Sequence, residues 1–303
     1  MFSNYFPVEN KLAVISGGSQ GVGAAIAKAL FARGAHVVVV ARNVSKLQET
    51  VNEMESVRQN ADQKAYFIQA DLAIAEDSTR VFQELHSEPD IVMCCAGGSF
   101  PGLLIDQTTE DLKKGVDMNY MTALYFGHAA LKAMARAKNT DTSSRHIMFF
   151  SSVVAFFPFI GYGQYAPLKA AVRSLADIMR HECIPYNIKV ECIFPGNTLS
   201  EGYLIEEETK PAITKIIEGP SSAITSDECA KLILNKLDRG YEMITTDFIG
   251  WVLNTLSLGA SPRTYNLFQT IVAIMIVIFG PVWNFFVNRD IQNYYKRNPY
   301  KRD

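Results

Sequence analysis

What most constrains this chain is an alternation that runs through its first 250 residues. Apolar runs rich in β-branched residues recur at LAVISGG (12–18), HVVVVARN (36–43), AYFIQADL (65–72), DIVMCCAGG (90–98), RHIMFFSS (145–152) and IKVECIFPG (188–196). Such runs carry no polar alternation, so each reads as a strand buried on both faces, as in a parallel sheet. QGVGAAIAKALFARGA follows the first run, puts Val22, Ile26 and Leu30 on one helical face and stops at Gly34. Helical spacing also follows the second and third runs, and YEMITTD (241–247) adds a candidate further strand. Strands alternating with helices at this spacing predict an α/β fold with a doubly wound parallel sheet.

The turn between the first strand and first helix is SGGSQGVG (16–23). Glycines there let the backbone turn tightly and bring its N–H groups close to a pyrophosphate at the helix N-terminus, the Rossmann-type arrangement. Gly17, Ser19, Gln20, Gly21 and Gly23 are the candidate phosphate-side residues. The second strand ends in Ala41, Arg42 and Asn43, without the acidic residue that would bind the ribose hydroxyls of NAD. Arg42 can pair with a 2′-phosphate, and Lys46 one turn later can add a second cation. NADPH is therefore the expected cofactor.

Composition excludes other classes. The chain has 303 residues, 48% of them hydrophobic and 20% charged, a globular balance. A formal charge of −2 gives no electrostatic case for nucleic acid. Cys94, Cys95, Cys183, Cys192 and Cys229 form no CxxC pair and no metal spacing, and read as thiols in a reducing compartment. MFSNYFPVENKLAV has no basic region leading into a long apolar run, so no secretory signal is expected.

YAPLK (165–169) places a phenol and an ammonium four positions apart, on one helical face. Together with SGGSQGVG, CCAGG, Asn119 in DMNYM, the Ser-Ser of FFSSV and FPGNT, it resembles the ordered motifs of the short-chain dehydrogenase/reductase family over roughly residues 10–250. The resemblance implies a catalytic set of Ser152, Tyr165, Lys169 and Asn119. Tyr165 would give its proton to a ketone oxygen. Lys169 would lower the Tyr165 pKa and bind the nicotinamide ribose. Ser152 would hydrogen-bond the carbonyl oxygen, with Ser151 as the alternative, since strand alternation turns only one toward the cleft. Asn119 would hold a water linking Lys169 to solvent, and Asp71 with Leu72 would contact the adenine. Four positions depart from the family pattern: Ser16 stands where Thr is usual, Cys95 where Asn is common, and Pro167 and Leu168 where small residues are found. Pro is tolerated in a first helical turn, so the Tyr–Lys pair survives it.

From Leu267 to Val287 the chain carries no charge, about the 20 residues needed to cross a bilayer. Within the family, that tail, the GGSxGxG turn and the Arg-Asn pair resemble the 3-ketodihydrosphingosine reductase subgroup, which implies an NADPH-dependent reduction of a long-chain lipid ketone at the endoplasmic reticulum membrane, with the catalytic domain facing the cytosol. The expected division is a catalytic domain over 1–263 and a membrane-associated segment with a basic tail over 264–303. Gly280-Pro281 would split the apolar segment into pieces too short to span alone, which leaves a buried core or dimer helix as the alternative reading. A single crossing would put the basic tail in the lumen, against the positive-inside tendency. The segment is therefore expected to be re-entrant or interfacial, or accompanied by a dip of Phe248–Ala260. Residues 199–225 are expected to form a substrate lid. A steroid, retinoid or ketoacyl reductase and a non-catalytic NADPH sensor are the competing readings, and a homo-oligomer is compatible with all of them.

Overall fold

The computed structural model describes residues 6–136, 144–219, 222–255 and 267–297. The seven principal strands are β1 (Leu12–Ser16), β2 (His36–Ala41), β3 (Ala65–Gln69), β4 (Ile91–Cys94), β5 (Arg145–Phe150), β6 (Ile188–Phe194) and β9 (Met243–Thr245). They form one sheet in the order β3-β2-β1-β4-β5-β6-β9, with every neighbouring pair parallel. This is the doubly wound sheet expected. The order reverses between β1 and β4, so a crevice opens beyond their carboxyl ends, where ligands of such sheets bind.

Alternate residues of each strand feed two cores. Ala13, Ile15, Val37, Val39, Met93 and Met148 face α1 (Gly21–Phe31), α2 (Val44–Glu55) and α9 (Ser226–Asp238). Val14, Val38, Val40, Val92, Ile147 and Phe149 face α3 (Ala75–Gln83), α5 (Thr122–Arg136) and α6 (Ala166–Glu182). Val37 to Val40 are wholly buried, which explains a strand with no polar residue inside it. Burial of each such valine is worth about 1.5 kcal/mol.

Two regions were not assigned from sequence. The first is α4 (Thr109–Val116), which starts at a capping box of Thr108 and Asp111 and passes through a π-type turn, Asp117–Met121, into α5. The second lies in the expected lid, where β7 (Thr198–Leu199) pairs in parallel with β8 (Ile224–Thr225) and frames α7 (Glu201–Thr209) and α8 (Ala212–Glu218).

Beyond β9, α10 (Phe248–Asn254) begins at an Asp247 cap. The remainder of the expected 248–260 dip lies outside the described residues. α11 (Leu267–Arg297) is one helix that runs through Pro281. The expected break at Gly280-Pro281 is therefore corrected: Pro281 removes one backbone donor, but the turns on either side continue. α11 rests on α8 and α10, and is otherwise almost wholly exposed along its apolar length. By length and composition it is the one helix among the described residues able to cross a membrane.

Candidate active site

The strand ends deliver the site. Gly17 leaves β1 with φ of +66°, and its N–H donates to the Val40 carbonyl at 2.8 Å. A Cβ on Gly23 would lie 2.4 Å from the Gly17 carbonyl oxygen, so the turn closes on itself only with glycine there. α1 then starts at Gln20 with no side-chain cap and no acidic residue in its first turn. Its leading N–H groups are thus left for an anion.

Cys95 follows β4, and the loop after it is braced in a way the family pattern did not indicate. Ala96 N–H donates to Ser16 Oγ at 3.2 Å. Asn119, buried in the π-type turn, donates from Nδ2 to the Gly98 and Gly115 carbonyls and accepts from Gly98 N–H at 3.1 Å. Its amide thus pins the loop between β4 and α4; π-turns inside helices are often found at functional sites. Asn119 is not on the cavity wall itself.

Ser151 and Ser152 follow β5, and the structure separates them. Ser151 Oγ donates to the Lys169 carbonyl at 2.7 Å, which ties the strand end to α6. Ser152 instead hydrogen-bonds the Tyr165 hydroxyl. Tyr165 is the N-cap residue of α6, with Pro167 in the first turn, and Lys169 N–H donates to the Tyr165 carbonyl. Lys169 Nζ lies 5.5 Å from the Tyr165 ring centre and donates to the Phe150 carbonyl at 3.0 Å.

Burial dominates the electrostatics of the Tyr165–Lys169 pair. Burial pushes the Tyr165 phenol above its ordinary value, the Glu206 carboxylate adds to the rise, and the Ser152 hydrogen bond opposes it. Lys169 is itself desolvated, and burial pulls its ammonium down to about 8. The phenol is therefore held protonated at neutral pH, the form a proton donor needs.

Lys169 also makes a prediction about stability. A fall from 10.5 to about 8 corresponds to roughly 3 kcal/mol of burial cost carried by the folded protein. Below pH 8 both folded and unfolded chains hold the proton and the full cost applies. Between 8 and the ordinary lysine value the unfolded chain binds more protons, so stability rises with pH. Lys169→Met is expected to melt several degrees above the native protein at pH 7 without nucleotide, with the gap narrowing from pH 8 upward. Thermal melts from pH 7 to 10 check this.

A cavity of about 1560 Å³ joins these parts. Its wall includes Gly17, Ser19, Gln20, Gly21, Gly23, Arg42, Lys46, Asp71, Leu72, Ser152, Tyr165 and Lys169, so every expected site residue except Asn119 lies on it. Arg42 is exposed just past β2. Lys46 donates to Gln20 Oε1 at 2.8 Å and pairs with Glu201 at the start of α7, which links the glycine turn to the lid. Asp71 Oδ1 accepts from Ala73 N–H, while its own N–H donates to Asp77. Beyond Ser152, Tyr165 and Lys169 the wall turns apolar, with Phe248 and Val252 of α10 and Ile276, Phe279 and Trp283 of α11. The volume exceeds the roughly 300–1,000 Å³ of an ordinary small-ligand pocket.

Sequence reading missed four residues on this wall: Tyr162, Glu206, Glu218 and Asn197. They come together only through folding of the lid. The single local signal was the density of acidic residues in EEET (206–209).

A parallel sheet of this order, a glycine turn at its switch point and a Ser–Tyr–Lys set beside it define a nucleotide-dependent oxidoreductase fold. A family model described as short chain dehydrogenase matches residues 11–208. The chain belongs to the short-chain dehydrogenase family. It is 45% identical over 295 residues to the 3-ketodihydrosphingosine reductase of Yarrowia lipolytica, covering 96% of this chain and 79% of the relative. It is 42% identical over 303 residues to that of Debaryomyces hansenii, covering 97% and 92%. Among solved structures it resembles a short-chain type dehydrogenase/reductase from Mycobacterium marinum, with a TM-score of 0.70 at 24% identity, covering 80% of this chain and 96% of that one.

Proposed function

We propose that the chain reduces 3-ketodihydrosphingosine, a long-chain 2-amino-1-hydroxy ketone, to dihydrosphingosine with NADPH. The observation that carries this reading is the single cavity that runs from the glycine turn past Ser152, Tyr165 and Lys169 to the apolar walls of α10 and α11. The names of the fungal relatives supply the particular ketone.

The residues present fit NADPH. Gly17 and Gly23 let the turn close tightly against the Ala96 backbone and on itself, and the uncapped start of α1 supplies N–H groups to a pyrophosphate. Arg42 would hold the 2′-phosphate, Lys46 would join it by exchanging Glu201 for the phosphate, and Asp71 and Leu72 would flank the adenine. When bound, NADPH supplies the hydride. The chain's own groups do the rest. Tyr165 Oη donates its proton to the carbonyl oxygen, and Ser152 hydrogen-bonds both that oxygen and the phenol. Lys169, with its ammonium close to the aromatic ring, favours the phenolate left after transfer. Asn119 keeps the loop after β4 in place and positions the set without touching the ketone.

The expected result for purified protein is ketone-dependent oxidation of NADPH, well above that of NADH, with 3-ketodihydrosphingosine preferred over steroid and retinal ketones. Preference for another ketone would overturn the substrate. NADPH binding with no ketone-dependent oxidation would point to a sensor.

The division into a catalytic unit over 1–263 and a membrane-associated segment over 264–303 belongs to the same proposal, at the endoplasmic reticulum with the site on the cytosolic side. Ile276, Phe279 and Trp283 sit in the middle of the apolar stretch yet line the catalytic cavity. A helix crossing the bilayer would carry them to its midplane, away from the folded domain. This favours α11 lying in the interface, one face on the protein and the other in lipid. A continuous helix also lacks the turn that a re-entrant hairpin needs. Protease protection of the C-terminal tail in sealed microsomes would reject the interfacial position.

A further inference from the structure

The lid holds a charged cluster that the proton and hydride chemistry does not use. Lys210, its side chain only 1% exposed, pairs with Glu207, lies 2.7 Å from Glu218 Oε2 and is 3.6 Å from Glu206 Oε1. Lys215 stands 3.8 Å from Glu207 Oε2 at the surface. Tyr162 Oη donates to Glu206 Oε1 at 2.5 Å, and Asn197 Nδ2 donates to Glu218 Oε1 at 2.8 Å. Three carboxylates thus share two ammonium groups, and Lys215 serves only Glu207. Within this cluster Glu206 and Glu218 therefore share the buried Lys210 with Glu207.

The surplus charge has a location. Both contacts of Glu206 fall on Oε1, and neither uses Oε2. Glu206 lines the same cavity as Tyr165, and its charge raises the phenol while burial raises its own carboxyl. A partly desolvated carboxylate without a full counter-charge is costly. Here it stands beside the reacting centre, where it opposes formation of a phenolate. A cation arriving with the substrate would relieve both costs.

We propose that Glu206 is the residue that recognises the substrate's ammonium group, with Oε2 accepting a charge-assisted hydrogen bond from the nitrogen on the carbon next to the ketone. The assignment rests on the reading of this chain as a reductase of long-chain amino ketones. Tyr162 and Lys210 hold Oε1 and so aim the carboxylate, which makes them positioning residues. The nitrogen is two bonds from the carbonyl carbon, so a site that fixes it also sets the ketone against Ser152 and Tyr165. The same contact offsets the Glu206 charge felt by the phenol only when an amino ketone is present.

The test compares 3-ketodihydrosphingosine with the ketone of equal length that lacks the 2-amino group, using full-length protein and NADPH. Native protein is expected to prefer the amino ketone by about ten- to a hundredfold in kcat/KM, the range of a hydrogen bond to a charged group. Glu206→Gln keeps the side chain's size and its acceptor for Tyr162, and is expected to bring that ratio close to one. An unchanged ratio in the variant overturns the assignment. So does native protein that reduces both ketones without discrimination, a result independent of how the variant folds. Native protein that reduces neither removes the reductase reading, and the assignment with it.

Discussion

Tyr165→Phe is expected to lower kcat for the ketone by about 10²- to 10⁴-fold, the usual contribution of a positioned general acid. The substitution removes one oxygen and leaves the ring, which packs beside Tyr162 with ring centres 6.1 Å apart. No cavity is created, so stability should change by less than about 1 kcal/mol, apart from the lost Ser152 hydrogen bond. Affinity for NADPH should stay within a few-fold, because the glycine turn, Arg42 and Lys169 are untouched. Ketone-dependent NADPH oxidation and a nucleotide fluorescence titration on the same preparation separate the two effects. Turnover close to that of the native protein would remove Tyr165 as the donor. Because burial holds the phenol up, the native rate should persist through neutral pH with no loss from early phenol ionisation.

Gly23→Ala should act on the other half of the site. The new methyl would sit 2.4 Å from the Gly17 carbonyl oxygen and 3.0 Å from its carbon. Those atoms belong to backbone that is fixed in turn by the Gly17-to-Val40 hydrogen bond, so they cannot swing aside as a side chain would. Overpacking of this kind costs about 1–3 kcal/mol. Much of it should appear as nucleotide affinity, weakened by about ten- to a hundredfold. The NADPH dissociation constant and the melting temperature measured together check this. Unchanged affinity would mean that the turn does not cradle the pyrophosphate.

The sheet was legible because burial on both faces removes the polar alternation that would otherwise disguise a strand. HVVVVA is the plainest case, with four valines split two and two between opposite cores. The order of Gly17, Arg42, Ser152, Tyr165 and Lys169 was legible because strand ends in a doubly wound sheet converge on one crevice, so motif order implies proximity. What sequence left out has physical reasons. The π-type turn around Asn119 differs from an α-helix by a single hydrogen-bond step, which periodicity does not register. The depth at which Tyr165 and Lys169 lie was not legible, and burial raises the phenol while it lowers the lysine. The Glu206, Lys210 and Glu218 cluster forms only when α7 and α8 fold against Tyr162, far away in the chain. Pro281 was read as a break, yet one missing donor does not end a helix whose neighbouring turns remain hydrogen-bonded.

If α11 lies in the interface as proposed, the presence of Ile276, Phe279 and Trp283 on the cavity wall has a kinetic consequence. A ketone dissolved in the membrane would then reach the chamber by diffusing in two dimensions, so turnover should follow its mole fraction among the surrounding lipids and not its amount per volume of buffer. Adding inert phospholipid at constant total ketone should then slow the enzyme by dilution alone.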